Sequence, residues 1–230
     1  VAIGYTALDA EDEHGFNVAI GYLALTNQNA GANAFNVAVG ASSGAAVTTG
    51  TNNVLLGTST GERITTGEKN VAIGSAALDH LTDADNNVAV GHNALTADVM
   101  GSKSTAIGYQ TLQAQTYSTA TESHNTAVGH EAGKTITTGV ENIAIGCKTL
   151  GTGTVTGQQN ITIGKNAGTD ITSGSYNLLF GRNAAQGLTT GSSNIAMGTG
   201  SLGGDTASTV TGADNIMIGE LTGVAATSAA

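Results

Sequence analysis

The chain has 230 residues and a formal charge of -10, with seven basic residues, no Pro, no Trp, 34 Gly and 3% aromatic residues. The charge and the scarcity of Lys and Arg exclude a phosphate-binding surface, so nucleic acid is not an expected partner. The lack of aromatics excludes an ordinary large aromatic core, and no apolar run reaches the eighteen residues a membrane-crossing helix needs.

One phrase recurs along the chain, Asn, three residues that are mostly apolar, then Gly. It opens at Gly4 and continues through Asn17–Gly21, Asn36–Gly40, Asn53–Gly57, Asn70–Gly74 and Asn87–Gly91. Ser104 takes the Asn position before Gly108. The phrase resumes at Asn125, Asn142, Asn160, Asn177, Asn194 and Asn215, the last copy closing on Gly219. Successive motif glycines are 17 residues apart in most steps, with longer steps of 19 after Gly21, 18 after Gly146, and 21 after Gly108 and Gly198. A short repeat with no core of its own folds only by stacking on its neighbours.

Each copy predicts a short strand. Three residues rich in Val and Ile, fenced by Asn and Gly, fit a strand, and no interval between glycines suits a long helix. A small residue three positions after each Gly, usually followed by Leu or Gly, marks a second segment, as in Ala24-Leu25, Ala77-Leu78 and Ala167-Gly168. Thr-Thr-Gly or Thr-Ser-Gly turns close several coils, where Gly adopts turn conformations at little steric cost. The expectation is an all-β, parallel β-solenoid of about thirteen coils of 17–21 residues over 1–223, with 224–230 a linker or disordered end. At about 4.8 Å per coil this would form a rod on the order of 60 Å long. The start at Val1, in mid-repeat and without Met, is the mark expected of a piece of a longer protein.

Alternation along a strand puts the first and third residues on one face and the middle one on the other. The bulky Val and Ile are expected to fill the coil. The middle residues Ala19, Ala38, Ala72, Ala89, Ala106, Ala127 and Ala144 would then form an outward ladder of small residues. A long apolar stripe calls for a cover, and two further copies around an axis would supply it. The alternative puts these alanines inside the coil. The recurring Asn residues suit the turn, through bonds to their own backbone and to copies one coil away.

Chemistry is harder to find. No pair of His or Cys has metal-ligand spacing, calcium-solenoid Gly-Gly-x-Gly-x-Asp repeats are absent, and the phosphate-loop and nucleophile-elbow motifs are missing. No catalytic residue, metal or cofactor is expected, and an enzyme is disfavoured. Loose acidic groups at Asp9 to Glu13 and at Asp79, Asp83 and Asp85 lack a ligand pattern, and the Thr turns are too gapped for an ice-binding array. Cys147 follows its motif Gly at a variable position held elsewhere by Tyr, His, Lys or Arg, an outward site. Recognition is expected in the inserts of the long coils, where Tyr117, Glu122, His124 and Asp205 are the candidates.

The runs Asn17 to Leu25 and Ser104 to Leu112 resemble two related families. These are the head repeats of trimeric autotransporter adhesins and the Asn-x-Ala-Ile-Gly-Tyr-x-Ala-Leu arrays of phage tail fibres. The resemblance implies a parallel trimer of solenoids, left-handed in the adhesin heads, at an extracellular or virion surface. It also implies attachment to a cell-surface glycan or another receptor. The expected function is thus a structural and adhesive fibre segment. The alternative is an extracellular filament subunit that assembles end to end with a purely architectural role.

Overall fold

A computed structural model describes residues 1–11, 15–203 and 209–223. Their regular elements are all short strands, and they form parallel β-solenoid coils. Two compact units are present, Val1–His124 and Asn125–Ala230.

In the first unit, β1 (Ala2–Ile3), β2 (Val18–Ile20), β3 (Val37–Val39), β4 (Val54–Leu56), β5 (Val71–Ile73), β6 (Val88–Val90) and β8 (Thr105–Ile107) form one parallel sheet in chain order. Between and after the last two of these lie β7 (Gly101–Ser102) and β9 (Thr121–Glu122), which pair with each other in parallel. The second unit stacks β10 (Thr126–Val128), β11 (Ile143–Ile145), β12 (Ile161–Ile163), β13 (Leu178–Phe180), β14 (Ile195–Met197) and β15 (Ile216–Ile218) in the same way. Register puts like on like at the strand centres: Ala19 pairs Ala38, Ala72 pairs Ala89, and Ala127 pairs Ala144.

The Asn clip sets that register. The Oδ1 of Asn53 accepts the backbone N–H of Asn70 at 2.9 Å, one coil on, while its Nδ2 donates to the carbonyl of Gly67 at 2.8 Å. The pattern recurs from Asn36 to Asn87, and in the second unit from Asn142 to Asn194. One side chain therefore joins the start of its own strand, the start of the next and the turn between them. Side chains also touch down the column, as in Asn177 Nδ2 to Asn160 Oδ1 at 2.9 Å. These bonds reach across coils rather than two residues along the chain; Asn215 also makes the local contact, to the Ala213 carbonyl. Asn17 lies at the head of the column, with its Oδ1 on the N–H of Asn36, and the Nδ2 of Asn125 bonds Gly139.

The motif glycines are fixed by close backbone approach. At Gly21, Gly40, Gly57, Gly74 and Gly91, φ lies between +124° and +141°. A Cβ on Gly91 would sit 2.3 Å from the carbonyl oxygen of Gly108. Side chains rarely adopt that backbone conformation and have no room there.

The interior reverses one expectation. Ala19, Ala38, Ala72, Ala89, Ala106, Ala127 and Ala144 are all fully buried inside their own coils, so they are not an intersubunit ladder. The Val and Ile residues on either side of them face outward. The reason is volume. The half-motif residues Leu25, Leu78, Leu95 and Leu112, and a third column including Val47, Ile64 and Leu81, already fill the narrow coil. Only a methyl fits opposite a Leu. Where the strand centre is itself large, the half-motif shrinks: Leu55 faces Gly61, and a Cβ on Gly61 would stand 2.9 Å from a Leu55 methyl. Leu179 is matched by Ala185 in the same sense, and Met217 by Gly223, whose Cβ would meet the Met217 sulfur at 3.0 Å.

Candidate recognition surfaces

Two surface features stand apart from the repeat's own bonding. The first is the outer face of each parallel sheet. In the first unit Val39, Ile73 and Ile107 are exposed, with half-buried Val18, Ile20, Val54, Leu56, Val71, Val88 and Val90 between them. In the second unit Ile145, Ile161, Leu178, Phe180, Met197, Ile216 and Ile218 are exposed. Residues beside the strands extend this surface near the first coils. Tyr5 stacks on Tyr22 at 5.7 Å between ring centroids, and Phe16 on Phe35 at 5.4 Å. Further along, His92 stacks on Tyr109 at 5.7 Å. Cys147, at the same repeat position as these Tyr and His residues, is half-buried. Parallel sheets normally have both faces covered, and this one has its inner face packed and its outer face open in the single chain.

The second feature lies on the 21-residue coil. Its expected recognition residues part company there. Tyr117 is buried, 6% exposed, with its ring packed where a Cβ on Gly101 would fall, 2.6 Å away. It is an interior filler and not a surface contact, because the extra length of this coil opens space that an aromatic ring occupies. Glu122 and His124 are exposed and adjacent, the His124 Nε2 4.0 Å from a Glu122 carboxylate oxygen. Lys103, from the preceding coil, donates to the other Glu122 oxygen at 2.5 Å. That bond and the Lys103 charge hold the Glu122 carboxyl below the usual range. Asp205 lies outside the described residues, as do Asp12, Glu13 and His14 of the acidic group near the first coil.

Beside these residues a buried polar cluster joins the 21-residue coil to the coil before it. Asp98 occupies the column of Val47, Ile64 and Leu81 and is fully buried. Gln115, one coil on, donates to it at 2.6 Å, and the N–H of Gly101 donates at 3.1 Å. Burial pushes the Asp98 carboxyl up despite these bonds. Ser104 keeps the ladder going by donating its N–H to Asn87 Oδ1 at 2.9 Å. Its hydroxyl lies 2.6 Å from that of Ser123, which itself donates to the Ser102 carbonyl. Sequence spacing could have exposed this cluster, since steps of 17 from Val47 lead through Ile64 and Leu81 to Asp98 and then Gln115.

Elsewhere, Glu131 collects Lys134 at 2.7 Å and Lys148 at 3.6 Å, and the bond to Lys134 lowers its carboxyl. Asp79 is raised by burial, against the pull of His80 at 3.7 Å. Among the described residues no three His, Cys, Asp or Glu side chains are placed to hold a metal ion, and no helix is long and apolar enough to cross a membrane. No family model, curated protein or solved structure matches the chain.

Proposed function

We propose that this chain is a structural and adhesive fibre segment, in which three parallel copies pack their outer sheet faces together and display the turns at the surface. The observation that supports this is the outward Val and Ile ladder, which runs through successive coils of each unit and is open in the single chain. A monomer seldom leaves so regular an apolar stripe wet, and a repeat in which every coil offers the same face lets each coil make the same contact with its neighbours along the rod. The interface assigned to the alanines by sequence thus passes to the larger residues beside them. Covering the part of each such Val or Ile that is still exposed contributes roughly 0.5–1 kcal/mol, and every coil adds one or two. The stacked turns supply a scaffold on which weak contacts are repeated, so that multivalency can hold a surface. A chain of this kind belongs at an extracellular or virion surface, with a cell-surface glycan as the expected receptor class.

Native mass by light scattering, with particle shape by electron microscopy, tests the assembly. Three chains in a short rod support the reading. A monodisperse monomer whose Val and Ile faces stay in water overturns it. Micrometre-long filaments would favour instead the end-to-end architectural subunit.

A further inference from the structure

The irregular coil carries a groove that the regular coils do not need. Its volume is about 300 Å³ and its polar lining comes from three successive coils: Asp85 and Asn86, Ser102 and Lys103, Thr121 and Glu122. Ala120 adds a methyl. β9 forms one wall by pairing with β7, Thr121 opposite Gly101 and Glu122 opposite Ser102. The stacking of the repeat accounts for one end of this site: the Asp85 carboxylate accepts the N–H of Glu68 at 2.7 Å, and the Ser102 hydroxyl accepts that of Asp85 at 3.0 Å. It does not account for Lys103 and Glu122. Both are exposed, they come from different coils, and their ion pair satisfies no backbone group.

From this lining we infer that the groove is a binding subsite for a neutral saccharide unit, an inference that rests on the adhesive reading above and names its ligand class. The chemistry follows from the side chains. A sugar ring presents hydroxyls that both donate and accept, and it needs a wall that does the same. Glu122 and Asp85 accept, the Lys103 ammonium donates, and Asn86, Ser102 and Thr121 do both. The volume lies at the low end of ligand pockets and suits one or two rings. Two carboxylates against one ammonium leave the groove net negative, in a chain of formal charge -10. Sialic and uronic acids are therefore repelled, as are phosphorylated ligands. The wall holds no large apolar side chain to anchor an apolar peptide. A site so open binds a single ring weakly, with Kd on the order of 1 mM, and gains strength from repetition over several copies.

The test is ligand-observed saturation-transfer NMR on the full chain in its native assembly. The neutral probes are the methyl glycosides of mannose, galactose and N-acetylglucosamine. The comparators are the methyl glycoside of N-acetylneuraminic acid and trilysine. At least one neutral probe should bind saturably and the acidic one should not. Lys103→Met and Glu122→Gln, both at exposed positions, should each weaken binding at least tenfold without moving the melting temperature. Absence of binding by all three neutral probes, a preference for the acidic sugar or for trilysine, or unchanged affinity in both variants would overturn the assignment. If wild-type protein still adheres to cells or glycan-coated surfaces in any of those cases, the groove is wrong and the adhesive reading stands. If wild-type protein adheres to nothing, the adhesive reading falls as well.

Discussion

Leu55 and Gly61 offer the sharpest test of how the coil is packed. Leu55 is fully buried at a strand centre where most coils have Ala, and Gly61 stands where most of those coils have Leu. Cutting Leu55 to Ala should cost about 2–5 kcal/mol, because its methyls fill space that Gly44 and Gly61 leave empty. Gly61→Leu alone should also destabilise. Its Cβ would lie 2.8 Å from an Ile64 methyl and 2.9 Å from a Leu55 methyl, an overpacking cost of about 1–3 kcal/mol. The backbone adds about 1–2 kcal/mol, since Gly61 has φ +57°. That conformation is nevertheless one that Leu25, Leu78 and Leu95 adopt in this same fold, at φ +49° to +54°. The double variant Leu55→Ala, Gly61→Leu rebuilds the packing of the Ala72–Leu78 coil. It should lie about 2 kcal/mol below wild type, where the separate costs sum to roughly 4–10, a coupling of at least about 2 kcal/mol. Urea unfolding followed by circular dichroism gives the three midpoints. Amide exchange of the coil gives a local reading that does not assume all-or-none unfolding, which repeat arrays need not obey. A double variant as unstable as the sum of its parts would refute the exchange of volume between strand centre and half-motif.

Three further outcomes follow from the hydrogen bonds. Asn70→Ala should lower stability by about 2–5 kcal/mol, because it leaves the Asn87 N–H and the Ala84 carbonyl without their buried partner; the urea midpoint reads the loss. Thr149→Val should stabilise by about 1 kcal/mol in thermal unfolding, since the Thr149 hydroxyl is buried without a hydrogen-bond partner while Thr60 and Ser43 at the same repeat position bond carbonyls. Asp98 should make the first unit lose stability as pH rises. Its carboxyl is raised in the fold, so the proton is held more tightly folded than unfolded, and that contribution is complete below about 3.8 and gone above the folded value. The stability of Asp98→Asn relative to wild type should accordingly rise across that window, and parallel denaturation curves from pH 3 to 7 would show it; a constant difference would count against the burial cost.

The period, the strand positions and the parallel stacking are legible in the spacing of Asn and Gly alone, because each of those residues answers a backbone demand that recurs once per coil. Gly91 cannot carry a Cβ, and Asn87 must reach both Ser104 and Gly101. Which strand face points inward is not legible from the strand. Val71-Ala72-Ile73 is apolar on both sides, so alternation gives no polarity to orient it. The deciding information lies six residues away in Leu78, whose bulk excludes a second large side chain from the same cross-section. Tyr117 misleads for a related reason. An aromatic in an insert looks like a contact residue, yet the inserted length creates interior volume as well as surface, and Gly101 leaves room for the ring. Glu122 and His124 are readable as exposed insert residues, but Lys103 and Asp85 are not, because they sit in coils of ordinary length and meet Glu122 only through stacking.

The irregular coil also bears on how a solenoid can acquire a site without losing its register. Ser104 lacks the Nδ2 that Asn36, Asn53, Asn70 and Asn87 use on their closing turns, and its hydroxyl is too short to span the coil. The gap is filled by Ser123, Gln115 and Asp98, whose buried bonds connect the Ser104 hydroxyl to the Ser102 carbonyl and to the Gly101 N–H. A buried cluster of this kind is costly if any member is left unpaired, so it fixes the inserted chain in one arrangement. With the inside fixed, Thr121 and Glu122 are held against Gly101 and Ser102 by strand pairing rather than by a free loop. Ser104→Asn, which restores the usual ladder residue, would therefore compete with Gln115 and Ser123 for the same interior space. It should displace β9 while leaving the strands before it intact, so that amide protection falls at Thr121 and Ser123 but not at Val71 or Val88. Protection unchanged throughout would mean that the cluster fills the coil without positioning the wall of the groove.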